Sequence, residues 1–140
     1  MSTPSGDAPP ATAARPALIV WWGVWLAMLA GVVVIHVVLL PRRAPAEQPW
    51  GLLENIACAQ VALSAIIRWL VLPRIKEPRR AFPIFIVGMA LAEGAAILGT
   101  FLSAHATEFF VLGMAGMMQF VPFFAARLLA PPGTGLMPRG

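Results

Sequence analysis

Charge is the scarcest property of this chain. Only 11% of its 140 residues are Asp, Glu, Lys or Arg, against 59% that are hydrophobic. A soluble domain carries roughly 25% charged residues, so the polar surface of a water-facing globule is missing. Cysteine is nearly absent too. Cys58 stands alone inside an apolar run, which excludes a disulfide framework. Also missing are a phosphate-binding glycine loop, a Ser–His–Asp arrangement, paired carboxylates at one depth and a cluster of metal ligands. These absences argue against an enzyme, and neither a cofactor nor a metal is expected. The net charge of +4 comes from basic residues gathered at the ends of apolar runs, an orientation signal for a membrane rather than a nucleic-acid surface.

Long apolar runs are abundant. Four occur, at 17–40, 51–72, 82–103 and 109–130, each of 22 to 24 residues. About 20 residues at 1.5 Å rise cross a 30 Å hydrocarbon core, and within lipid only a helix satisfies its own backbone groups. The expected fold is therefore all-α: an integral membrane four-helix bundle. Proline marks its boundaries, with Pro41, Pro45, Pro73, Pro78, Pro131 and Pro132 between or after the runs. The short connections predict an up-down-up-down order. Residues 1–16 and 131–140 read as polar, Pro-rich tails, the first of them disordered. Ala44-Pro45-Ala46 has cleavage-site spacing, but the first run exceeds the length of a signal core, so this span is expected to be retained.

Orientation follows from arginine and lysine. The two tails, the "PRIKEPRR" loop and nearby helix ends share one side and hold Arg15, Arg68, Arg74, Lys76, Arg79, Arg80, Arg127 and Arg139. The other side has Arg42 and Arg43. The positive-inside rule places both termini in the cytoplasm, for a multi-pass protein of the cell (inner or plasma) membrane. Trp21, Trp22, Trp50 and Trp69 lie near run ends, as interfacial belts require.

The rare polar residues inside the runs are the candidate functional groups. If the third and fourth spans turn about residue 106, residues whose numbers sum to 212 are level, Glu93 with Gln119 among them. The midpoint of the second span brings Gln60 to the same depth. A carboxylate at the bilayer centre costs about 2.5 kcal/mol or more on insertion scales, so Glu93, Gln119 and Gln60 are expected to face one another. A second polar pair, His36 with Glu54, falls level nearer the outer side, where Glu54 also has interfacial water within reach. Arg68 and Arg127 are expected to snorkel to head groups. Gly88, Ala92, Ala95 and Gly99 form a small-residue stripe that permits close helix packing in lipid. Met114, Met117 and Met118 read as adaptable packing groups, and Pro122 as a bend below Gln119. His105 and Glu108 read as a solvated turn.

The stretch "ALAEGAAILGTFL" resembles the carboxylate-bearing helix of the proteolipid (c) subunit of rotary ATP synthases, through Ala90, Leu91, Glu93, Ile97 and Gly99. By that resemblance Glu93 would be the proton- or ion-binding carboxylate, and Gln60 would match a glutamine that assists sodium binding in some members. The second span, "IACAQVALSAIIRWL", departs from that family in lacking its repeated Gly-x-Gly-x-Gly. The first and fourth spans have no counterpart in a two-helix proteolipid. The whole pattern is also similar to small four-span bacterial membrane proteins of unassigned function. Two functions are expected to compete. One is a structural or accessory subunit whose partners are the lipid bilayer and itself or a larger membrane complex. The other is proton or sodium handling through Glu93.

Overall fold

The computed structural model describes residues 14–39, 49–102 and 105–129, and among these it is all-helical. The tails, the first loop with Arg42 and Arg43, and Arg139 lie outside the described residues, as does the side chain of Arg15. The helices are α1 (Ala14–Leu39), α2 (Leu52–Ile66), α3 (Pro78–Leu102), α4 (Ala106–Met118) and α5 (Phe123–Leu129). Four stretches are long and apolar enough to cross a membrane: Pro16–Val38, Leu52–Arg74, Pro78–Phe101 and Ala106–Leu129. The second combines α2 with a π-helical turn, Ile67–Val71, and a 3-10 turn, Leu72–Arg74. The fourth joins α4 and α5 across a break.

Helix starts differ from the expected ones for local reasons. The third helix begins at Pro78, ahead of residue 82, because proline is tolerated at the first helical position, where no N–H is needed. The carbonyl of Glu77 accepts from the N–H groups of Arg80 and Ala81, and its carboxylate pairs with Arg80 at 2.8 Å. The fourth begins at Ala106, three residues ahead of 109. At the start of α2, Gly51 N–H donates to Glu54 Oε2 at 2.9 Å, and Asn55 Nδ2 donates to Gly51 O. Trp50 Nε1 donates in turn to Asn55 Oδ1. Glu54 thus caps its own helix.

α3 is the hub, packing against α1, α2, α4 and α5. Its small residues permit this. Gly99 lies against Phe109, Gly88 against the Phe120 ring and Ile67, and Ala92 and Ala96 against Gly113. Ala95 turns toward α2 and clusters with Ala57 and Phe109. Backbones in such contact gain dispersion energy that lipid cannot match. Ser64 Oγ adds a buried hydrogen bond to Gly88 O at 2.8 Å.

The aromatic groups modify the simplest hairpin order. Trp21 is buried against Phe82, Phe85 and Phe124, with ring centroids 4.9, 4.8 and 5.4 Å apart. This wedge sets α1 against α3 and α5, so α1 packs there rather than along α2. Trp21 and Trp25 are therefore interior residues of the bundle. Trp50, at the opposite end of the bundle, is exposed.

Candidate functional site

The fourth span is interrupted where its sequence predicts a bend. Pro122 has no N–H to continue the α4 ladder, and residues 119–122 form turns instead. Carbonyls near the break must then find other donors, because unsatisfied backbone groups are costly in lipid. Met117 O accepts from Phe120 N–H and also from Trp25 Nε1, at 3.1 Å. Met118 O accepts from Val121 N–H. Gln119 O accepts from Arg68 Nε. Three of the four spans therefore meet at one break.

Arg68 is held against this break. Its guanidinium lies over the Trp69 ring at 5.2 Å and the Phe124 ring at 4.9 Å, between the second span and α5. A cation there complements the negative end of the α4 dipole. The π-helical turn makes this geometry possible, since it places Arg68 and Trp69 together on the side facing Gln119. The side chain of Gln119 accepts from Trp69 Nε1 at 2.8 Å through its Oε1.

The expected triad of Glu93, Gln119 and Gln60 is not joined by hydrogen bonds. Contact pairs such as Gly99 with Phe109 and Gly88 with Phe120 have numbers summing to 208 rather than 212. The earlier start of α4 shifts its register by about one turn, which sets Gln119 below Glu93 and level with Met89. Gln60 is level with Glu93, because its amide lies against Gly94, 3.4 Å from where a Cβ would stand. The two sit on different flanks of α3. Phe82, Glu93 and Thr100 share one helical stripe; Phe82 touches Trp21 and Thr100 touches His36, so this stripe faces α1. Gln60 approaches from α2. Glu93 is half-buried and has no hydrogen-bond or ion-pair partner among the described residues. Gln60 Oε1 is buried without a donor.

His36 does not bond to Glu54. Its Nδ1 lies 3.3 Å from Thr100 Oγ1, and its ring stacks on Phe110 at 3.8 Å. The placement of α1 against α3 decides this, together with the capping role of Glu54. His105 and Glu108 lie 3.9 Å apart at the exposed start of α4. No group of three or more His, Cys, Asp or Glu side chains suited to a metal occurs among the described residues.

Sequence reasoning missed Trp25 and the partnership of Arg68 and Trp69 with the break. Pro122 within an apolar run was the available clue, since an interrupted helix in lipid implies donors from its neighbours. Comparisons with family models, curated proteins and solved structures find no match to this chain.

Proposed function

We propose that the protein is a small multi-pass protein of the inner (plasma) membrane, with both termini cytoplasmic, acting as a structural or accessory subunit. Its partners are the lipid bilayer and either further copies of itself or a larger membrane complex. One observation carries this reading: the polar groups around the fourth-span break are used to hold helices together. Trp25, Arg68 and Trp69 each donate to residues 117–119 from a different position on two neighbouring spans. An interruption sealed in this way supports a fixed scaffold rather than an open permeation path. Native mass spectrometry from mild detergent tests it. A defined oligomer or a stoichiometric co-purifying membrane protein is expected; a monomer without any protein partner contradicts the accessory role.

A second reading has its own support. Among the described residues Glu93 lacks a partner, and Gln60 Oε1 is buried without a donor at the same level on another flank of α3. An intramembrane carboxylate is a functional candidate by default. This reading assigns proton or sodium binding to Glu93, in line with the proteolipid-like sequence around it.

A further inference from the structure

Among the described residues, Arg68 is the basic side chain set deepest within a span, six residues before the end of the second span at Arg74. It uses only Nε within the protein, toward Gln119 O. Its two terminal NH2 groups have no acceptor among the described residues, and neither is enclosed. No Asp or Glu side chain among the described residues is paired with it. The guanidinium carbon lies 5.2 Å from the Trp69 ring centroid and 4.9 Å from that of Phe124, contacts that restrain the group and leave its two terminal NH2 donors to take an acceptor from outside the described residues. Such a planar fork matches phosphate oxygens better than a point charge would. Arg127 follows Phe124 by three residues on α5, is exposed, and brings a second cation about one turn nearer the membrane boundary. Trp69 and Leu70, the two residues that follow Arg68, are exposed. They suit acyl chains, which free phosphate does not have.

We infer that Arg68 and Arg127 form a headgroup site for one anionic phospholipid of the cytoplasmic leaflet. An anionic lipid is favoured over a zwitterionic one because the latter would bring its own cation to two unpaired guanidinium groups. Basic pockets between spans on the cytoplasmic side bind anionic head groups by the same chemistry. The inference rests on the membrane reading of the four helices and on their inward orientation.

The test uses the full chain in mild detergent, titrated separately with phosphatidylglycerol and phosphatidylcholine of the same acyl composition, with bound lipid counted by native mass spectrometry. One phosphatidylglycerol should be retained in preference to phosphatidylcholine. Arg127→Gln, at an exposed position, should weaken retention about five-fold, the effect of one arginine near an anionic surface. Arg68→Lys keeps the charge but loses the fork, and should weaken it as well, in protein that still elutes as a single species. Equal retention of both lipids overturns the site, as does wild-type retention in both variants or displacement of the lipid by millimolar inorganic phosphate. Failure of the membrane reading itself is separately visible, as release of the chain from membranes by alkaline carbonate.

Discussion

Trp69, on the π-helical turn of the second span, donates its indole N–H to Gln119 Oε1 on the fourth span at 2.8 Å. Trp69 is 63% exposed, so its ring stands on the outer surface of the bundle while its N–H is held by the neighbouring span. Hydrogen bonds between membrane helices are worth about 0.6 kcal/mol on average and up to about 1.7 kcal/mol. Gln119→Leu and Trp69→Phe should each destabilise the protein by about that amount. The double variant should cost less than the sum, because the two residues share one bond. Reversible unfolding in mixed micelles measures the coupling; strictly additive losses would remove Trp69 as the partner of Gln119.

Glycine positions give a sharper contrast. A Cβ at Gly113 would stand 2.6 Å from Ala96 Cβ and 2.8 Å from Ala92 O, atoms that cannot move unless the helices part. Gly113→Ala should therefore cost about 1–3 kcal/mol, the range for overpacking. Gly31 has nothing within 4 Å of its missing Cβ. Gly31→Ala should lose no stability and may be compared directly in the same unfolding assay. Equal losses at the two sites would contradict the α3–α4 packing described here.

Orientation has its own measurement. In a Cys58→Ser background, a cysteine placed at Thr107 should react with an impermeant thiol reagent from outside, and one at Lys76 should not. Thr107 is exposed at the start of α4, and Lys76 is exposed between the 3-10 turn and α3. The reverse labelling pattern would invert the topology.

Much of the architecture was legible in the sequence because solvent sets the composition of a span. The runs that become the four spans could be read from their length and lack of charge. Their register could not. Glu93 and Gln119 were placed level by assuming a turn at residue 106, but α4 begins at Ala106, and the fit of Phe109 over Gly99 fixes the pairing about one turn away. Trp21 and Trp50 look alike as tryptophans near run ends; only the surrounding Phe82, Phe85 and Phe124 make Trp21 a core residue. Pro122 announced a bend. Its donors Trp25 and Arg68 come from residues 92 and 51 positions away from those they serve, beyond the reach of any local pattern.

Glu93 gives a further prediction. Without a hydrogen bond to lose, Glu93→Gln should insert, assemble and unfold like the parent protein, within about 0.5 kcal/mol. Its complementation of a deletion strain should also be intact if the protein is a structural subunit. Loss of function in a variant that still assembles would favour the ion-binding reading.

The central claim is that the polar groups around the fourth-span break hold helices together and that Glu93 binds no transported ion. Carbodiimide labelling of Glu93 in native membranes, followed as sodium is raised at fixed pH, tests it most directly, because the reagent modifies a membrane carboxyl through its protonated form and a bound cation displaces that proton. The structural account predicts labelling that added sodium at fixed pH does not suppress. Suppression of Glu93 labelling by sodium at fixed pH, with potassium as the control, would contradict it and assign the carboxylate to ion binding.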